Sequence, residues 1–436
     1  MSRLAPWAVF LLVMAAPLSG QTSSSTDLRT TIKDLFVFPG DCAQPLCLNV
    51  NAATHGNHFI PALEGAQGNL LAFLQNSIGV TVSNTPISSA TSGAIWGKSE
   101  SGLPVRTATS AGPLFAERAQ TLGKGHFLMG LGVSGFNFTS IRTTPLNDLV
   151  FDFTHTDSDG DGTVGDQDFE NDIFEVRTNL DVKVLATTAV LTYGILDRVD
   201  VGVAVPLVHT SISGVSDGQI IPAEPDTPHN LGTPANPSLT AQTSTSGSAT
   251  GIGDIAGRVK VQVAQGARTG LGIIGEVRFP TGKEEDLLGL GEYSVRGIGV
   301  LSGRYGNFGP HANVGYLYRG GNSQNDSFLA TLGFDQLLGP WATFAADVIS
   351  EWQVGTTKLQ QPAPVTLDTP LGGGISARIV HPSNIEDRND SVVQGSFGFK
   401  FTAPSGVTVI TNALIPIRRG YLQPDVSWTA GLEYSF

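Results

Sequence analysis

The chain has 436 residues, of which 53 are Gly and only 14% are charged, against about 25% charged in an average soluble domain. Hydrophobic residues reach 40%, yet the one long apolar run lies at the extreme N-terminus, which excludes a helical membrane protein with ~20-residue spans. A net charge of −13 excludes nucleic acid as a partner, because phosphate binding needs a clustered basic surface.

Residues 1–20 read as an export signal: Arg3 supplies the positive end, Trp7 to Ala16 the short apolar core, and Ser19 and Gly20 a small-residue exit with cleavage near Gly20. The destination is oxidising, so Cys42 and Cys47 read as a local disulfide. Residues 21–124 are rich in Ser, Thr and Gly. Within them Ile60, Leu63, Leu70, Leu74 and Ile78 fall at helical spacing and predict a short amphipathic helix. This segment either extends into the periplasm or folds into a lumen as a plug.

Residues 125–436 show period-two alternation, so a bilayer is crossed by strands. Twelve strands are expected, near 126–141, 173–195, 198–213, 252–265, 268–281, 293–305, 309–320, 326–338, 341–354, 391–403, 405–418 and 425–436. Tight turns alternate with longer loops at 142–172, 214–251, 282–292, 321–325, 355–390 and 419–424. Short turns on one side and long loops on the other describe an all-β, antiparallel transmembrane barrel of about twelve strands in the bacterial outer membrane, surrounded by outer-membrane lipid. Closure removes the unpaired edges that lipid does not tolerate. A barrel of that size is wider than side chains alone fill, which favours partial occlusion.

Charged residues that alternate with apolar ones are expected to face the lumen. These are Glu175, Arg177, Asp181 and Lys183 in the second strand, Arg258 and Lys260 in the fourth, and Glu276 and Arg278 in the fifth. Alternating signs predict a cross-strand ladder of ion pairs. In the last strand Trp428, Ala430, Leu432, Tyr434 and Phe436 share one face, a pattern that resembles the signal by which such barrels are handed to the barrel assembly machinery.

In the first long loop, residues 157–168 fit a calcium loop with ligands at Asp157, Asp159, Asp161, Thr163 and Asp168. Calcium takes oxygen ligands at positions 1, 3, 5, 7 and 12, and the Gly at position 6 permits the sharp turn. Two catalytic patterns are discounted. Gly130 to Gly135 matches a nucleotide-binding fingerprint but sits inside a strand, and Gly214 to Gly218 matches a nucleophile elbow without the strand-turn-helix that such an elbow needs.

The strings "LTYGILDRVDVGVAVPLV", "GIGDIAGRVKVQV", "GIIGEVRFPTGKEEDLLGLG" and "GPHANVGYLY" resemble the outer-membrane family of the MetA-pathway of phenol degradation. More loosely, the architecture is similar to long-chain fatty-acid and aromatic-hydrocarbon transport barrels. The resemblance covers residues 110–436 and carries no ligand-binding residue. It implies a channel for small hydrophobic or aromatic solutes and no enzymatic activity. The alternatives are a lipase-like outer-membrane enzyme, for which His209 near Ser211 is the nearest Ser/His pair, and a calcium-stabilised structural or adhesive barrel.

Overall fold

The computed structural model describes residues 27–40, 45–50, 74, 76–77, 96–98, 104–106, 111–223, 229–371 and 374–436. Twelve antiparallel strands among them close into a barrel. They are β1 (Phe127–Ile141), β2 (Ile173–Leu196), β3 (Val199–Ile221), β4 (Ile255–Gln265), β5 (Thr269–Phe279) and β6 (Ser294–Gly303). The ring continues through β7 (Phe308–Arg319), β8 (Ser327–Gly339), β9 (Ala342–Gln353), β10 (Val392–Thr402), β11 (Val407–Arg418) and β12 (Leu422–Ser435). Each strand pairs with the next, and β12 pairs back onto β1 from Leu422↔Ile141 to Ser435↔Leu128. At the seam Phe127 and Phe436 exchange backbone hydrogen bonds of 2.8 and 3.0 Å.

Across most of the barrel the apolar face of each strand points outward. Val259, Ile273, Leu301, Val314 and Leu332 are all exposed, which suits a lipid surround and would be untenable in water. Aromatic side chains mark both rims. At the short-turn end Phe127 stacks on Tyr193 and Phe436, and Trp341 on Phe401; at the loop end Tyr293 packs on Tyr318, and Tyr316 on Phe328. These are interfacial girdles. The glycine at 135 lets the Trp428 ring lie flat across the neighbouring strand, since a Cβ there would come within 2.5 Å of it. The fingerprint at 130–135 is therefore strand packing.

Two strands are much longer than the span requires. β2 has 24 residues and β3 has 23, where about 9–11 cross a bilayer. Their outer halves rise above the barrel and recruit two more strands, Leu149–Thr154 on β2 and Thr240–Ile252 on β3. The stretch 214–251, expected as a loop, is thus largely strand. Its Ser- and Thr-rich sequence carries no apolar alternation and so gave no periodic signal.

The main apolar core lies inside this outer ribbon. Helix α1 (Leu28–Asp34) starts at Asp27, whose carboxylate accepts from the Thr30 amide at 2.6 Å, a cap worth about 1 kcal/mol. Leu28, Ile32, Leu35, Phe36 and Phe38 pack against Phe151, Phe153, Phe174, Val176 and Val182. Gly214 and Gly218 are where Leu35 and Phe38 approach the strand, and Ser216 between them bonds Thr178 at 2.9 Å. The elbow-like motif is a docking surface for the N-terminal segment. Of the helix expected from Ile60 to Ile78, Leu74, Asn76 and Ser77 are helical; the remainder, residues 1–20 and Cys42 lie outside the described residues.

Candidate functional site: a plugged lumen

Residues 111–122 run inside the barrel near its short-turn end. Backbone N–H groups of this segment donate to inward side chains of successive strands: Ala111 to Thr343 (3.1 Å), Phe115 to Asp347 (3.3 Å), Glu117 to Asn313 (2.7 Å), Ala119 to Ser302 (3.0 Å) and Leu122 to Asp200 (3.0 Å). An irregular segment has no ladder partners of its own, so polar wall residues satisfy it.

Two ion-pair groups fix the segment. Glu117 receives Arg258 at 2.9 Å and Lys260 at 3.4 Å, all three largely buried. Arg118 meets Asp335 at 2.9 Å, and Arg304 reaches the same carboxylate at 3.2 Å. His311 bonds Asp347 at 2.6 Å beside them. Removing one partner from such a buried pair costs about 3–5 kcal/mol, because the other charge is left uncompensated.

The charged residues of β4 and β5 point inward. Arg258 stands opposite Glu276, and Glu276 opposite Arg296 on β6, where the ion pair closes at 2.7 Å; Arg278 lies 3.9 Å from Glu276. A ladder of alternating sign therefore crosses three strands at one level.

Glu175, Arg177, Asp181 and Lys183 require a correction. They lie on the outer face of β2, and the inward face at that height is Val176, Thr178, Leu180, Val182 and Val184, all buried. The four charges pair along their own strand, Arg177 with Glu175 at 2.7 Å and Lys183 with Asp181 at 2.5 Å. The physical reason is height. This half of β2 stands beyond the bilayer, where water replaces lipid outside and the apolar N-terminal segment replaces the lumen.

Above the plug is a cavity of about 220 Å³. Phe115, Phe136, Ile298, Leu329 and Ile349 give it an apolar side, and Arg258, Arg296, Asn313 and Gln394 give it a polar one. Tyr421, Gln423 and Ser427 also line it. None of the plug contacts was expected from sequence. A signal existed in Asp335, the lone charge in an otherwise largely apolar strand.

In the first long loop, oxygens of Asp157, Asp159 and Asp161 lie within 4.8 Å of one another. Asp157 accepts from Gly160 (2.6 Å) and Gly162 (2.7 Å), and Asp161 from Thr163 (2.7 Å). Gly162, at loop position 6, has φ +94°, the left-handed turn that a calcium loop needs. Asp168 stands exposed on a 3₁₀ turn outside this group. Glu170, buried on the same turn, closes the loop by accepting from Ser158 (2.7 Å) and Gly165 (2.8 Å). Three carboxylates at this spacing fit a hard divalent cation.

These loop carboxyls are tuned by their surroundings. The amides of Gly162 and Gly160 hold Asp157 below its ordinary value. Burial alone would raise Glu170, but the Ser158 and Gly165 donors outweigh it and the group lies below its ordinary value. Asp166 is raised, by burial first and then by the charges of Asp161 and Asp159.

His209, the candidate base of a lipase-like pair, is on the outer face of β3 and bonds Thr250 at 2.7 Å. It faces solvent with a threonine partner and no enclosed site.

Fold and lumen together define a closed twelve-stranded β-barrel with an apolar outer face and a plugged interior. Residues 154–364, just under half of the chain, match the family described as "Putative MetA-pathway of phenol degradation", the family that the sequence resembles. Among solved structures, the chain is similar to an outer membrane channel from Pseudomonas putida F1, with 13% identity, a TM-score of 0.42, and 73% of this chain and 98% of that chain covered. It is also similar to a Pseudomonas aeruginosa FadL homologue (10% identity, TM-score 0.31, 71% and 89% covered). A third is the P. putida toluene transporter TodX (11%, 0.31, 71% and 89%). No curated protein matches.

Proposed function

We propose that this protein is an outer-membrane channel for small hydrophobic or aromatic compounds, reached after cleavage of residues 1–20 and assembled through the strand ending at Phe436. The cavity above the plug carries the reading. Its volume of about 220 Å³ exceeds the ~150 Å³ apolar cavity that accepts benzene, and one side is apolar while the other offers hydrogen bonds. That combination suits a single-ring compound with one polar substituent. The family match over 154–364 agrees with it. The test is uptake of labelled toluene and phenol by cells carrying Ile298→Trp or Ile349→Trp, which fill the cavity. Both variants should abolish uptake while retaining the heat-modifiable migration of a folded barrel; unchanged uptake would remove the reading.

We also propose that residues 157–170 hold one calcium ion through Asp157, Asp159 and Asp161, ordering the external loop. Support comes from the carboxylate spacing and the Gly162 turn. Protease protection of the refolded barrel by millimolar calcium, lost in Asp157→Ala and Asp161→Ala, is the expected result. The disulfide between Cys42 and Cys47 is proposed on spacing and compartment alone, and a gel-mobility change on reduction tests it.

A further inference from the structure

The polar contacts described for the plug fall on one side. Every hydrogen bond and ion pair described above between residues 111–122 and the wall lands on β3, β4, β6, β7, β8 or β9. The facing wall of β10, β11 and β12 carries polar side chains of a different kind. Ser396, Lys400, Asn412 and Glu433 are 3%, 0%, 5% and 8% exposed. Among the described residues, Ser396 Oγ, Lys400 Nζ, both amide atoms of Asn412 and Glu433 Oε2 have no hydrogen-bond partner.

These groups form a column. Gln394 and Ser427 line the cavity. One pleat below Gln394 on β10 is Ser396, and one pleat below Ser427 on β12 is Thr429, whose cross-strand partner is Asn412. Further toward the short-turn end come Lys400, paired across with Ile410, and Glu433, paired across with Thr408. The adjoining wall of β1 contributes Gly130 and Gly132, where an added Cβ would meet nothing nearer than 3.5 Å. The half of the lumen that grips the plug carries arginine, lysine and carboxylate side chains at this level. The other half carries glycine, the neutral side chains of Ser396 and Asn412, and one lysine and one glutamate, Lys400 and Glu433.

We propose that solutes cross the barrel along this wall of β10, β11, β12 and β1, beside the plug, and that Lys400 and Glu433 are the charged pair they pass. The proposal rests on the channel reading above. Polar groups buried without partners disfavour the closed arrangement, and contact with water along an open path relieves them. Residues 111–115 cover the wall, with Leu114 packed on Ala345 and Ile410, and are tied by the Ala111 and Phe115 amides. Residues 117–122 are latched by Glu117 and Arg118 and stay in place when the path opens.

The test is thiol labelling of the full-length refolded barrel, in a background without Cys42 and Cys47, by a small water-soluble methanethiosulfonate, read by mass spectrometry. Ser396→Cys and Asn412→Cys should react about tenfold faster than Ser302→Cys, which lies under the Ala119 amide, because the opening step differs. In planar bilayers Lys400→Met should shift the reversal potential toward cation preference and Glu433→Gln toward anion preference, both by more than Lys260→Met. Two cysteine positions, one of them the near-isosteric Ser396→Cys, guard against one failing to fold. Labelling that is equal at the three positions, or faster at 302, overturns the proposal while leaving the channel reading intact. A wild-type barrel that passes neither ions nor aromatic solutes, with 396 and 412 still reactive, overturns the channel reading and leaves the hydrated wall standing.

Discussion

β2 and β4 carry the same alternation of charged and branched apolar residues and point it in opposite directions. In β4, Arg258 and Lys260 face the lumen and Val259 and Val261 face lipid. In the outer half of β2, Asp181 and Lys183 face water and Val182 and Val184 face the core around α1. A strand with one wet and one apolar face states only that its two sides differ. Which side turns inward depends on what lies beyond each, and that depends on whether the strand stands in the bilayer or above it.

Four experiments break or sharpen this contrast. The largest effect belongs to the outer region, where Arg142, fully buried, makes hydrogen bonds of 2.8 and 2.9 Å to Asp390 and also donates to the Leu359 and Glu386 carbonyls. Asp390→Ala removes the buried carboxylate that faces this guanidinium and should cost about 3–5 kcal/mol. Proteolysis should then open the external loops while the barrel keeps its heat-modifiable migration; loss of both together would show that the two regions do not stand independently. Next, Val259→Lys places an amine against lipid and should lower stability by ~2–4 kcal/mol in vesicle refolding titrations. By contrast, Lys183→Leu on the corresponding outer face of β2 should change stability by less than about 0.5 kcal/mol. A loss as large as that of Val259→Lys would restore Lys183 to the lumen.

The smallest effect is pH dependence in the 157–170 loop. Asp157 and Glu170 lie below their ordinary values when folded, so the stability they confer is fully present above the unfolded value of about 4. It is lost as pH falls through the lower folded values. Asp166, raised in the fold, works the other way and softens the loss. Protease cleavage of the loop should increase below about pH 4, earlier than any change in barrel migration, and a loop equally resistant down to unfolding would contradict the assignment.

The barrel itself was legible because membrane strands must satisfy their backbone in closed pairs and show lipid an apolar face, constraints that write directly into spacing and alternation. All twelve strands lie within a few residues of the expected ranges except β3, which runs to Ile221. Partial occlusion was legible from the barrel's width, but the plug's contacts were not. Glu117 and Arg118 sit in a segment without periodicity, and their partners Arg258, Asp335 and Lys260 are more than a hundred residues away along the chain. No local pattern carries such a contact. Asp168 lies on the 3₁₀ turn Asp168–Asn171, apart from the three clustered carboxylates, while Glu170 on the same turn accepts from the loop amides, a distinction that loop spacing alone does not carry.

The seam between β1 and β12 has a kinetic meaning. Ser134 and Thr429, bonded at 2.8 Å, are 295 residues apart, so the pairing that shuts the cylinder is the one with the greatest loop-closure entropy. Every other neighbouring pair in the ring joins strands that are consecutive around the barrel, across far shorter stretches of chain. Until the final pairing, the growing sheet presents two raw edges, and such edges invite mispairing with other chains. High-separation contacts of this kind slow folding, which makes escort of the open sheet, and timely delivery of its last strand, the step on which the yield of finished barrels turns.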